Sequence, residues 1–431
     1  MNHCASTAFS ANTLPVAASK APAAAFPLAS LKGGARRLSP AAAFYLLASI
    51  TVSFLAGSLA PTPLYPVYQA EWGFSALTVT EIFGIYALVL LATLLVAGRL
   101  SDHIGRRPVL IVATLTQVVV MLIFATAGGV DSLILARIVQ GLATGAALGA
   151  IGAGMLDLDK VRGPVANAVT PLLGTGTGGL LAGLFVHYLP APTLLVYLVL
   201  AVVFLLQMVG VIFMTETVTR RPGAVASLKP QLNLPAAARK PMLLAAPMLV
   251  AAWAMAGFYA SLVPALMHKV FGLDASFAGG MAIVAITGGG VVAVLALQSR
   301  GARLLMNYGG LALIAGTIAQ MLALQYQSVA GFFLASILAG SGFGAGFQGG
   351  IRTVVPAAKP HERAGVLSVA FVICYLAMGL PAIIAGFFVV KFGNLLITAQ
   401  EFGAAVVLLS VFALLGGLLA GKGDAPVAAA R

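Results

Sequence analysis

The chain has 431 residues, 61% of them hydrophobic and only 8% charged, with a mean hydropathy of +1.04. Soluble domains are about 45–50% apolar, so this composition excludes a water-soluble enzyme or binding module. The net charge of +13 comes from short Lys and Arg clusters between apolar runs rather than from one basic face. This argues against nucleic acid as a partner and makes charge a signal of membrane orientation.

In chain order, residues 1–42 are rich in Ala, Ser and Pro and read as a disordered cytoplasmic tail. They lack the uninterrupted apolar core of a secretory leader, although a Ser-rich, acid-poor segment also fits a transit peptide. Apolar runs of about 20 residues cross a bilayer as helices. Six are expected near 43–68, 77–97, 108–127, 132–155, 165–187 and 193–214, together a first bundle over 43–214. A basic linker at 215–241 leads to six more, near 242–267, 276–297, 304–324, 329–355, 364–390 and 395–420. These form a second bundle over 242–420, followed by a tail at 421–431. Twenty of the 24 Lys and Arg fall in the tails and on one alternate set of connections, while Lys269 and Lys391 stand on the other and Arg137 and Arg352 lie in spans. The positive-inside rule then places both termini in the cytoplasm, and an integral position in a bacterial inner membrane is expected, with lipid as the surrounding partner.

The halves repeat one another. Ser58-Leu59-Ala60-Pro61 returns as Ser261-Leu262-Val263-Pro264, Gly141 and Gly145 as Gly340 and Gly344, and Ala182-Gly183 as Ala385-Gly386, at offsets of 203, 199 and 203 residues. Internal repeats of this kind are how many transporters build alternating access.

Between the second and third spans, Gly98 to Pro108 (GRLSDHIGRRP) concentrates five ionisable groups: Arg99, Asp102, His103, Arg106 and Arg107. Gly98 and Gly105 let the backbone turn and helices approach. Asp102 can accept from a helix N-terminus or an arginine, and Arg106 and Arg107 offer planar donors, though Arg107 also reads as an inside anchor. The counterpart at Gln298–Arg303 (QSRGAR) has neither the aspartate nor the paired arginines. Within spans, Arg137 and Gln140 stand out because an intramembrane charge is costly and is by default functional. Glu81 is the nearest acid at similar depth and reads as either a proton-coupling group or an interfacial acid. In the fifth span Gly174, Gly178, Gly179 and Gly183 allow close helix packing. Two cysteines, Cys4 and Cys374, give no disulfide framework or metal spacing. No nucleotide-binding loop and no catalytic constellation stands out, so neither an enzyme nor a cofactor or metal is expected.

The run G-R-L-S-D-x-x-G-R-R and the later A-R-I-V-Q-G-L-A-T-G closely resemble two signatures of the major facilitator superfamily of secondary transporters, in its twelve-helix drug and metabolite efflux branch. The fifth span resembles that branch's antiporter signature only in part, because Gly179 stands where the signature has proline. The resemblance implies an all-α membrane protein of twelve transmembrane helices in two pseudo-symmetric six-helix bundles. It also implies that Asp102 and Arg106 latch the two halves in one conformation, with Asp157 and Asp159 as expected partners, and that Arg137 serves proton handling. The first, fourth, seventh and tenth spans would line the cavity, making Tyr65, Trp253, Tyr259, Phe343 and Gln348 candidate lining groups, with Tyr68 and Phe258 beside them. Few ionisable residues fall in that lining, so proton-linked export of a small lipophilic or weakly polar solute is expected. A sugar or organic-acid importer is the alternative reading, and a transport-inactive receptor or scaffold the alternative of another class.

Overall fold

A computed structural model describes residues 37–230, 232–359 and 362–420; the expected tails, apart from residues 37–42, lie outside the described residues. Ser39 caps α1 (Pro40–Leu59), accepting from the Ala42 N–H at 3.2 Å. Pro40 follows at the first helical position, where a missing N–H costs nothing. After Leu59 the helix stops, because Pro61 and Pro63 donate no amide, and the chain resumes as α2 (Tyr65–Trp72). The single span expected at 43–68 is therefore two helices with a proline break.

The rest of the first half is α3 (Ala76–Ala97), the short α4 (Ser101–Ile104), α5 (Arg106–Ala125), α6 (Val130–Leu158), α7 (Gly163–Tyr188) and α8 (Pro192–Phe213). A connection carrying only α9 (Ala224–Ser227) leads to α10 (Ala236–Ser261). That helix starts before the expected linker end: Pro235 is its N-cap and Pro241 falls in its second turn, where proline removes one helical bond without ending the helix. Then come α11 (Val263–Phe271), α12 (Ala275–Ala296), α13 (Ala302–Gln325), α14 (Val329–Val354), α15 (Arg363–Phe392) and α16 (Leu395–Ala420). Twelve of these helices are long and apolar enough to cross a membrane.

The repeat seen in sequence is also a repeat of packing. α1 lies on α7, α3 on α6 and α5 on α8; in the second half the same pairs return as α10 on α15, α12 on α14 and α13 on α16. The break at Pro61 recurs at Leu262, between α10 and α11, with Pro264 at the second position of α11. Between the halves α7 meets α12 and α3 meets α15, two pairs that the repeat interchanges. Each half has its own apolar core, one around Phe54, Phe124 and Phe204, the other around Phe258, Leu266 and Phe332. Large side chains such as Val112, Leu206, Leu243 and Phe412 stay exposed on the outside, the surface that hydrocarbon tails solvate.

Lipid supplies no hydrophobic drive for helices to associate, so packing rests on close approach at small residues. α7 uses both of its faces. A Cβ on Gly174 or Gly178 would strike the α1 backbone at Val52 or Ala56, whereas one on Gly179 or Gly183 would meet Ile283 or the Ser276 carbonyl of α12. One glycine pair thus seats α7 inside its half, and the other lets it touch the opposite half. Gly178→Ala should cost about 1–3 kcal/mol by overpacking, read as a lower melting temperature of the solubilised protein. Gly128→Ala, at a position with nothing within 4 Å, should leave that temperature unchanged; equal effects of the two would contradict this packing account.

Candidate functional site

At the end of the bundle that carries the loop, here the loop side, the charges of Gly98–Pro108 are tied together locally. Gly105 has φ of +103°, a conformation that favours glycine, and a Cβ there would also meet the Glu216 carboxylate. Glu216 accepts from the Arg106 and Arg107 amides at 2.8 and 3.1 Å, so an acid remote in sequence caps the positive end of α5. The Arg106 guanidinium pairs with Asp102 and with Asp157, the latter at 3.4 Å, and donates to Ser101 Oγ at 2.7 Å. Arg107 donates to the Val211 carbonyl at 3.2 Å and to that of Ile212. His103 Nδ1 lies 3.1 Å from the Pro222 carbonyl, and the Arg221 amide donates to the His103 carbonyl.

Every one of these partners belongs to the first half or to the start of the connection. The expected latch between the halves is not what the side chains form here, because the central cavity separates the halves on this side. Asp157 joins the cluster, but Asp159 does not. Asp159 instead accepts from the Val161 and Arg162 amides at 2.9 and 2.8 Å, which hold its carboxyl below the usual range.

Arg137 is fully buried and carries the second cluster. Pro61 has no N–H, so the Gly57 carbonyl loses its helical partner. The Thr62 amide turns to Leu59 at 3.0 Å, which frees the Ser58 carbonyl as well. Both orphans are met from α6: Gln140 Nε2 donates to Gly57 O at 3.0 Å and Arg137 Nη1 to Ser58 O at 2.7 Å. Arg137 also donates to Gln140 Oε1 at 2.7 Å and to the Tyr65 hydroxyl at 2.8 Å. The Tyr86 and Phe124 rings lie 5.2 and 5.6 Å from its guanidinium carbon, within cation–π range. No carboxylate pairs with it among the described residues; neutral oxygens and ring faces hold the charge. Glu81, expected to share its depth in the membrane, is exposed in the second turn of α3 and is not its partner.

The cavity between the halves is about 430 Å³. Its lining runs from Ser58, Tyr86, Tyr259 and Ile283 at mid-depth to Asn167, Arg352 and Leu367 in the loop-side turns of α7, α14 and α15. It does not extend to the opposite side, where the halves meet. There Thr62 Oγ1 donates to the Ala260 carbonyl at 3.0 Å across the boundary. Gly280 of α12 would lose its approach to Gly179, and Gly386 of α15 its approach to Thr80, if either carried a Cβ. The structure therefore holds a state reached from the loop side and closed opposite.

Of the expected lining groups, Trp253, Tyr259, Phe343 and Gln348 line the cavity. Tyr65 does not, because its hydroxyl faces Arg137; Tyr68 bonds the Tyr197 hydroxyl at 3.3 Å, and Phe258 stacks on Phe402 at 4.8 Å. Arg137 itself stands one residue behind the wall. Ser58 Oγ and the Tyr86 hydroxyl, 2.6 Å apart, form that wall, and behind it Arg137 donates to the Ser58 carbonyl and faces the Tyr86 ring. The sequence reading missed them, and it missed Glu216, whose signal was an isolated acid in a basic connection. In the second half Ser336 occupies the place of Arg137 at the 199-residue offset. It bonds the Tyr259 hydroxyl at 2.5 Å, which also receives Gln320 Nε2 at 2.6 Å, so that half has a neutral network.

Two repeated helical halves around a cavity open toward one face define a membrane carrier. Residues 43–382 match the Major Facilitator Superfamily, and the chain belongs to that family. It is a secondary transporter of a small molecule and not an enzyme. Among solved structures, that of a mutant of the nucleoside transporter NupG matches with a TM-score of 0.61 at 14% identity, over 88% of this chain and 99% of that one. At this identity the likeness speaks for the fold. No curated protein matches the chain.

Arg137→Lys keeps the charge but cannot reach Tyr65, Ser58 O and Gln140 together. Losing one hydrogen bond to a charged group costs about 1.5–3 kcal/mol, so the variant should melt several degrees below the parent in a thermal unfolding scan. An unchanged melting temperature would mean that the guanidinium fork does not hold the α1 break.

Proposed function

We propose that this protein exports a small, uncharged, lipophilic or weakly polar solute by alternating access. The observation that carries the reading is a mostly apolar cavity reached from the loop side and closed opposite, at the Thr62–Ala260 contact. The loop side bears the concentrated Lys and Arg, and the positive-inside rule makes it cytoplasmic. In this state the cavity would therefore load from the cytoplasm. A sugar importer would want a polar lining; here the deep wall offers Ser58, Tyr86 and Tyr259 among leucines, isoleucines and aromatics.

The sequence suggested proton coupling through Glu81 and Arg137. With Glu81 exposed and Arg137 engaged by neutral partners, that pair makes no proton relay in this state. The reading offered is flux along the solute's own gradient. Reconstituted in liposomes, the carrier should release a preloaded lipophilic dye at the same initial rate with and without a pH difference, and Glu81→Gln should not change it. Flux that needs the pH difference, or that Glu81→Gln abolishes, would return coupling to that acid. No flux under any gradient would leave the receptor reading.

Asp102 is half-exposed, so its pair with Arg106 adds little to stability. Its proposed role is in the balance between the two states, because it fixes the guanidinium that joins α4 to the end of α6. Asp102→Asn should slow flux about tenfold, the effect of a shift of about 1.4 kcal/mol, at equal membrane insertion. An unchanged initial rate would remove the loop from gating.

A further inference from the structure

The second-half wall of the cavity contains two polar atoms that the protein leaves without partners. Trp253 Nε1 and Gln348 Oε1 are buried and make no hydrogen bond among the described residues, although both residues line the cavity. A buried polar atom left unpaired costs about 1–3 kcal/mol, and most are satisfied in native structures. The two sit on neighbouring helices, since α10 and α14 pack at Met248 against Gly346 and at Leu249 against Gly350. Phe347, the residue before Gln348, has its ring centroid 5.5 Å from that of Trp253, and Tyr375 closes on the indole from α15 at 4.9 Å. Phe83 and Tyr86 face the cavity from α3. The slot therefore has aromatic walls on both halves and, on the second-half wall, an indole N–H donor from α10 and an amide acceptor from α14.

Charge narrows the ligand further. Among the described residues no Asp, Glu, Lys or His lines the cavity, and the one formal charge in that lining, Arg352, lies in the last turn of α14 at the loop side, donating to the Arg300 carbonyl at 2.9 Å. With Arg137 behind Tyr86, the surroundings disfavour a cation. An anion would find a charged partner only at the loop-side mouth, in Arg352, and deeper only neutral donors in place of its water. The ligand chemistry that remains is planar, aromatic and neutral.

We propose that this cavity selects an uncharged planar aromatic solute carrying a hydrogen-bond acceptor and a donor, the chemistry of an aromatic amide or lactam, with Trp253 Nε1 donating to its carbonyl and Gln348 Oε1 accepting from its N–H. The proposal rests on the carrier reading above and names its substrate class. Trp253 and Gln348 are specificity-determining residues of the binding step.

Only two tryptophans occur, Trp72 and Trp253, and Trp72 stacks on Tyr68 away from the cavity. In Trp72→Phe the emission of Trp253 alone reports binding, independently of transport. Titrated into the full chain in lipid nanodiscs, 2-naphthamide should quench that emission with a dissociation constant about tenfold below that of N,N-dimethyl-2-naphthamide, which keeps the acceptor and lacks the donor. The anion 2-naphthoate should bind more weakly still. Adding Gln348→Met should remove the preference between the two amides; where that variant fails to fold, the ranking of the three probes on Trp72→Phe alone decides. Equal affinities, or naphthoate binding tightest, would overturn the proposal. The predicted ranking without solute flux in liposomes would uphold this site and remove the carrier reading, whereas flux with no ranking would do the reverse.

Discussion

The prolines at the ends of the first and seventh spans set a constraint that much of the remaining structure answers. In a bilayer a carbonyl stripped of its helical N–H finds no water, so another donor has to reach it. Pro61 frees Gly57 O and, through the turned Thr62 amide, Ser58 O; Gln140 and Arg137 are those donors. This explains why a full charge can stay buried without a carboxylate. The guanidinium fork spreads several strong bonds over neutral oxygens, and the aromatic faces of Tyr86 and Phe124 complete its shell.

Pro264 repeats the problem in the second half and frees Ala260 O. The repeat of Gln140, at the 199-residue offset, is Ala339, too short to donate. The hydroxyl of Thr62, from the other half, donates instead. The same backbone defect is thus repaired internally in one half and across the boundary in the other. An internal repair fixes a wall of the cavity, while a repair across the boundary closes one side and must break when that side opens. This asymmetry, with Arg137 matched by Ser336, leaves the pseudo-symmetric scaffold with one proline break tied within its own half and the other tied across the boundary.

Much of this was legible in the sequence. The twelve spans, the repeat, the basic loop and the buried arginine follow from apolar run length, composition and glycine spacing. What was not legible depends on which side chains face one another. Span positions suggest a similar depth for Glu81 and Arg137, but Glu81 lies on the exposed face of α3. Tyr65 lies on a cavity-lining span, yet the proline break turns its hydroxyl toward Arg137. Glu216 stands 110 residues from the Arg106 amide it caps, a distance no local pattern spans. The latch failed to appear between the halves because a cavity reached from the loop side leaves its partners there only within the first half.

The central claim is that the bond from Thr62 to the proline-freed Ala260 carbonyl holds the far side closed. It is tested most directly by measuring distances between spin-label pairs, one pair across the halves at far-side helix ends and one across the loop-side mouth, in the parent and in Thr62→Val. The account predicts that Thr62→Val lengthens the far-side distances and shortens those at the loop side. Unchanged distributions at both ends would contradict it.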